Sequence, residues 1–257
     1  MPLRVGVVGC GSIGRTLARK LAPFKPVSHI TFFDLDRARA RDLAALSTRY
    51  RAASSLAGVV KASDLVVECA SQAAAREVAP AALRAGRDVL IMSLGALADD
   101  RFWRELRKVA SRTRATILLP SGALAGLEAV ASAASAGLAE VSLTTRKPPR
   151  ALAGSPYLQK KGFDPAKVRA PTIVFRGSAR KAVRLFPANI NVAAALSIAG
   201  VGFDRTRVTI IADPRATSNE HEVVAKGAFG TLRCAVKNAP FPDNPKTSYL
   251  AALSAVS

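Results

Sequence analysis

The segment Gly9-Cys10-Gly11-Ser12-Ile13-Gly14 has the spacing GxGxxG and lies between the unbroken apolar run LRVGVV and the helical stretch RTLARKLA. On its own the pattern is weak; between a buried strand and a helix it restricts the fold severely. The first glycine permits a tight turn, the second lets a pyrophosphate approach the backbone, and the third lets helix and strand pack closely. Free N–H groups at the helix start, at Ser12 and Ile13, then favour phosphate together with the aligned peptide dipoles. Asp34 ends the next apolar run, HITFFD, about 20 residues further on, where an acid that accepts hydrogen bonds from ribose hydroxyls belongs. Such an acid repels a 2′-phosphate, so NAD is the preferred cofactor. Arg37, Arg39 and Arg41 either soften that discrimination or form a solvated helix face, which leaves NADP acceptance open.

Further apolar runs, LVVEC, DVLIMS and ATILLP, alternate with stretches of helical spacing. Uninterrupted apolar strands separated by helices predict a parallel sheet covered on both faces, here a doubly wound Rossmann domain over residues 1–120. The rhythm changes after Pro120. AEVSLTTRK, PTIVFRG, RVTIIAD, HEVVAKGAF and GTLRCAVKN alternate in polarity, with turns near Pro214 and Gly230. The last three read as successive strands of an antiparallel sheet. Residues 121–244 are therefore expected to form a second, α+β domain on a mixed or antiparallel sheet. The tail, 245–257, reads as an amphipathic helix.

The formal net charge is +20, yet the basic residues are spread through the chain, without a basic tail. Aromatic residues make up only 5%, too few for base stacking to be a main activity. Nucleic acid is not an expected partner, whereas a dianionic substrate and a pyrophosphate both gain from the field. Three scattered cysteines, Cys10, Cys69 and Cys234, form no CxxC pair or Cys/His cluster, so no metal site and no disulfide framework are expected. The apolar runs are too short to cross a bilayer, and the N-terminus lacks the h-region of a signal peptide. A cytoplasmic location follows.

Removal of hydride from a carbon bearing oxygen or nitrogen needs a group that exchanges a proton, a task suited to histidine. The chain has two. His29 falls early in the second strand, at the end opposite the expected cofactor crevice. His221, in SNEHEVVAKG, enters a strand of the second domain, and alternation sends Glu220 and Glu222 to the face opposite the imidazole. Lysine stays open as an alternative base.

Over nearly its full length the chain resembles the NAD(P)-dependent L-aspartate dehydrogenase family. The specific segments are LPSGALAGLEAV, TTRKPP, LFPANINVAAALSIAG, SNEHEVVAKGAFG and NAPFPDNPKTSYLAALS. The resemblance implies that Ala123 and Asn189 bind NAD and that His221 is the active-site histidine. Read by itself, Asn189 is more readily a turn or cap residue beside Pro187. The family's activity is the reversible oxidative deamination of L-aspartate to oxaloacetate and ammonia through iminoaspartate, which feeds NAD biosynthesis. Two substrate carboxylates need cationic partners; Lys147 and Lys246 are the candidates, with Arg146 and Thr247 behind them, although a solvated lysine is the ordinary case. The family's architecture also implies a homodimer, with the C-terminal helix returning to the first domain. Competing readings are another Rossmann reductase of the homoserine dehydrogenase or dihydrodipicolinate reductase type, and a NAD-sensing DNA-binding regulator. The latter requires a helix-turn-helix or basic arm, for which the chain has no spare segment.

Overall fold

The computed structural model describes residues 2–187, 190–241 and 244–257, those from 244 to 247 through their backbone alone. The chain divides into two compact units, residues 1–120 with 252–257, and residues 121–251. In the first unit strands and helices alternate: β1 (Leu3–Val8), α1 (Ser12–Leu21), β2 (Val27–Phe33), α2 (Arg37–Ala44), β3 (Tyr50–Ala52), α3 (Leu56–Ala62), β4 (Leu65–Glu68), α4 (Gln72–Arg84), β5 (Asp88–Ile91), α5 (Asp100–Thr113) and β6 (Ile117–Leu118). Among the described residues these strands form one parallel sheet of six in the order β3-β2-β1-β4-β5-β6. The order reverses between β1 and β4, and open sheets of this kind bind ligands outside the carboxyl ends of the strands at that reversal. Val5, Val7, Ile30, Phe32 and Val67 fill the core, which Ala255 and Val256 of the tail join.

Two elements of this unit are not visible in the pattern of the sequence. β3 is three residues long and α3 seven, too short for either period to stand out. Local chemistry nevertheless fixes α3, since Ser55 caps it by accepting a hydrogen bond from the Gly58 N–H at 3.2 Å.

The second unit contains α6 (Leu127–Ala134), β7 (Leu138–Lys147), α7 (Pro149–Leu152), α8 (Pro156–Lys160), β8 (Thr172–Ser178), α9 (Ala179–Leu185), α10 (Asn191–Ala199), β9 (Arg207–Ala212), β10 (Asn219–Gly227), β11 (Gly230–Asn238), β12 (Pro240–Phe241), β13 (Asn244–Ser248) and the start of α11 (Tyr249–Leu253). Its main sheet has the order β11-β10-β7-β9-β8, with β7 and β9 parallel and the other pairs antiparallel. Strand β9 therefore does not pair with β10, contrary to the expectation of three successive antiparallel strands. The ten-residue β7 lies between them and satisfies the edges of both. One face of the sheet is apolar and buried through Val141, Leu143, Val208, Ile210, Val223 and Ala225. Helix α9 packs on β8 and β9, and α10 packs on α6 and α9.

The tail also departs from expectation. Residues 245–248, read as part of a helix over 245–257, belong to β13, and helix is confined to Tyr249–Leu253. Pairing of β13 with β12 fixes the extended backbone there, and the proline at 245 offers no N–H to an intrahelical bond.

Candidate active site

Candidate residues fall into two groups, one in each unit. In the first, the turn after β1 brings together Gly9, Gly11, Ser12, Ile13 and Gly14. Gly9 has φ +104°, and a Cβ there would lie 2.8 Å from the Ala70 nitrogen. A Cβ at Gly14 would overlap the Gly9 carbonyl oxygen. Gly11 is different. Nothing lies within 4 Å of the place its Cβ would occupy, so no packing demands a glycine. Open space in front of the N-terminus of the ten-residue α1 is what an approaching pyrophosphate requires. Asp34, just beyond β2, accepts a hydrogen bond from the Cys10 N–H at 2.7 Å through Oδ2 and another from the Asp36 N–H at 2.9 Å through Oδ1. Its carboxylate is thereby tied to the glycine turn and keeps lone pairs for a diol. The donor set and the cradle fit a dinucleotide. Arg39 is held by Asp36 at 3.2 Å on the exposed face of α2.

Glu68 is a residue of this region that the sequence reading missed. It ends β4 fully buried and accepts hydrogen bonds from the N–H groups of Ala70, Ser71 and Ser93 and from the Ser93 hydroxyl, at 2.8–3.0 Å. Burial raises its pKa, opposed by these four donors. The carboxylate thus ties together the turns after β4 and β5 at the carboxyl edge of the sheet. A charged residue closing an apolar strand was the available signal. Cys10 is buried, its pKa pushed up to about 12 by burial and by the charge of Asp34. Burial likewise raises that of Cys69, whose thiol donates to the Gly9 carbonyl at 3.1 Å. Neither is a thiolate nucleophile at neutral pH.

The second group lies on the buried face of the β7–β10–β11 region. His221 is 3% exposed, stands opposite Thr145 in the register, and its Nδ1 is 3.1 Å from the Thr145 Oγ1. Lys147, two residues further along β7, is buried on the same face. Burial, and then the positive charge of Lys147, pull the His221 pKa down to about 3, so the imidazole is neutral. Burial lowers that of Lys147 to about 8. Asn219 is on this face two residues before His221, and its Nδ2 donates to the Ser248 Oγ at 3.3 Å. Asn238 pairs with Asn219 across the β10–β11 ladder, and its Nδ2 donates to the Ala123 carbonyl at 3.3 Å. Glu220 and Glu222 sit on the other face, in ion pairs with Lys237 at 3.3 Å and Arg233 at 2.8 Å. Arg146, also on the other face by alternation, is paired with Asp213 at 2.7 Å and is removed from the candidate carboxylate ligands.

The structure thus collects His221, Lys147 and, through Asn238, Ala123 on one polar surface within the second unit. Thr145, Asn219 and Asn238 join it unanticipated; period-two spacing from Lys147 and His221 was the signal for the first two. Asn189 lies outside the described residues. Lys246 and Thr247 are placed by backbone only, in β13 immediately before Ser248. His29 is exposed on β2. Among the described residues no cluster of His, Cys, Asp and Glu has the makings of a metal site.

A family model described as "Aspartate dehydrogenase, C-terminal" matches residues 128–257, and one described as "Homoserine dehydrogenase, NAD binding domain" matches residues 9–120. The chain is 44% identical to an L-aspartate dehydrogenase of Methanosarcina barkeri, over 99% of this chain and 95% of that one. It is 42% identical to an L-aspartate dehydrogenase of Methanocaldococcus jannaschii, over 99% of this chain and 94% of that one. Among solved structures it resembles the aspartate dehydrogenase of Thermotoga maritima, with a TM-score of 0.75 and 28% identity over 99% of this chain and 94% of that one. A myo-inositol dehydrogenase of Corynebacterium glutamicum shares the fold alone, with a TM-score of 0.54 and 16% identity over 100% of this chain and 86% of that one.

Proposed function

Since this chain belongs to the L-aspartate dehydrogenase family, we propose that it is a nicotinamide-dependent enzyme that deaminates L-aspartate oxidatively and reversibly to oxaloacetate and ammonia. The observation that carries the reading is the buried face on which neutral His221, bonded to Thr145, stands beside Lys147. Residues 1–120 hold the dinucleotide: Gly9, Gly11, Ser12, Ile13 and Gly14 around the pyrophosphate, Asp34 at the adenosine ribose. Ala123 and Asn189 also bind it, as the family resemblance implies. A bound nicotinamide would supply the acceptor for the hydride of the aspartate Cα.

The side chains of the second unit do the rest. Lys147 holds one substrate carboxylate, with Lys246 and Thr247 on the other. His221 acts as base and acid. With Nδ1–H donating to the Thr145 hydroxyl, Nε2 is left as the acceptor that takes a proton from the water attacking the imine carbon. The imidazolium then returns that proton to the departing ammonia. Acid–base assistance of this kind is worth roughly 10²–10⁴-fold in rate.

NAD is the preferred dinucleotide because Asp34 faces the ribose diol; NADP is accepted less well, Arg39 being held by Asp36. The enzyme is a homodimer, and the half-exposed sheet face that bears Thr144, Thr209, Ile211 and Val224 supports such an assembly. Among the described residues no helix is long and apolar enough to cross a membrane. We place the enzyme in the cytoplasm, without nucleic-acid or membrane partners, delivering iminoaspartate to NAD biosynthesis. The test is NADH oxidation with oxaloacetate plus ammonia, run beside aspartate semialdehyde and dihydrodipicolinate. Turnover confined to oxaloacetate with ammonia is expected; preferential turnover of either alternative would overturn the assignment.

A further inference from the structure

Asn238 closes β11 on the same face as His221 and is 3% exposed. Only the amide nitrogen of an asparagine can face a carbonyl oxygen, so its contact with the Ala123 carbonyl at 3.3 Å determines which end of the amide points which way. The other end, Oδ1, is buried with no hydrogen-bond partner among the described residues. Only two other buried side-chain atoms among the described residues share that condition, both of them arginine Nε, so Oδ1 is the one acceptor. Buried acceptors almost always have a donor, because stripping one of water without replacement is costly. Here the unmet acceptor lies directly across the ladder from Asn219, on the polar surface shared with His221 and Lys147.

We propose that Asn238 is a ligand-binding residue whose Oδ1 accepts a hydrogen bond from an N–H of the bound reactants, while its Nδ2 holds the Ala123 segment in place. This rests on reading the Ala123–His221 face as the site of reaction. Two reactants offer the required N–H: the amino nitrogen of the substrate and the carboxamide of the nicotinamide. Both are chemically the same partner for an amide oxygen, and the experiment separates them.

Full-length Asn238→Ser and Asn238→Leu are compared with the unsubstituted enzyme by three readouts: binary NADH affinity from fluorescence titration, KM for ammonia and for L-aspartate, and melting temperature. If the amino nitrogen is the donor, KM for ammonia and aspartate rises about 10-fold, whereas NADH affinity and inhibition by succinate, the dicarboxylate without nitrogen, hold. If the carboxamide is the donor, NADH affinity falls about 10-fold. The reduced 3-acetylpyridine analogue, whose methyl ketone has no N–H, then binds variant and unsubstituted enzyme alike. Either pattern supports the assignment. Unchanged constants in a folded variant overturn it, since Oδ1 then meets neither reactant. An equal loss for NADH, its acetylpyridine analogue and succinate overturns it too, because that is collapse of the Ala123 segment alone. Should the leucine variant fail to fold, the serine variant, which is smaller than asparagine, decides. Absence of aspartate turnover in the unsubstituted enzyme would instead count against the proposed function, so the two failures are distinct.

Discussion

Lys147 shows what a buried ammonium costs the fold. Its ammonium is buried at the end of β7, and its pKa falls from the usual 10.5 to about 8 through burial. The folded protein binds fewer protons here than the unfolded chain between pH 8 and 10.5, so the penalty of the buried charge is full at neutral pH and fades as pH rises through that window. The shift corresponds to about 3 kcal/mol at neutral pH. Lys147→Met is therefore expected to stabilise the free enzyme at pH 7, read by urea denaturation, while raising KM for oxaloacetate at least 10-fold. A variant that is less stable and equally active would remove the role assigned to Lys147. Burial, and then the same charge, depress the His221 pKa to about 3. Under the proposed function a dicarboxylate beside Lys147 offsets that charge, so the His221 pKa is expected to be higher in the substrate complex. The acid limb of kcat is then expected at higher pH than that of kcat/KM, and His221→Ala should lower kcat by roughly 10²–10⁴-fold. Coincident acid limbs, or a normal kcat in the alanine variant, would contradict this. His221 was legible because only two histidines exist and alternation set its flanking glutamates aside. Its bond to Thr145 was not, because cross-strand register is a property of the assembled sheet.

At the scale of elements, the turn from β1 into α1 divides its glycines by physical task. Gly14 is required by packing against the Gly9 carbonyl, while Gly11 faces open space. Gly14→Ala is thus expected to lower the melting temperature and to impair NADH binding as a consequence. Gly11→Ala should fold with stability changed by less than about 1 kcal/mol and still lose NADH affinity, because its methyl group enters the space a pyrophosphate needs. Thermal melts with NADH fluorescence titrations check the pair; a Gly11→Ala enzyme with normal affinity would place the phosphates elsewhere. The glycine spacing, the apolar strands and the Asp34 position made this half of the fold readable, since each is a local pattern. Elements missed or misread were those that local pattern underdetermines. Tyr50–Ala52 is three residues at a sheet edge, and Asn244–Ser248 is extended because β12 pairs with it rather than through its own preference. The central position of β7 likewise follows from which edges remain to be satisfied.

For the whole molecule, a net charge of +20 means that every anion approaches through a favourable field. Ion pairs such as Arg4–Asp64 and Arg146–Asp213 neutralise part of the basic charge, and the basic residues are spread along the sequence of both units. Such a charge attracts a small dianion, which under the proposed function is then fixed by Lys147 and its neighbours. Oxaloacetate carries two charges into this field and ammonia none at the moment of reaction. Raising ionic strength from about 10 mM to 0.3 M shortens the screening length from about 30 Å to roughly 6 Å. It should therefore lower kcat/KM for oxaloacetate several-fold, with kcat and KM for ammonia little changed. A fall in kcat is not expected, because a buried pair is screened far less than an approaching ion. Initial rates at constant pH in sodium chloride, repeated with the uncharged dimethyl ester of oxaloacetate as a control, check this: equal salt sensitivity for diacid and diester would show that the basic surface has no part in drawing the substrate in.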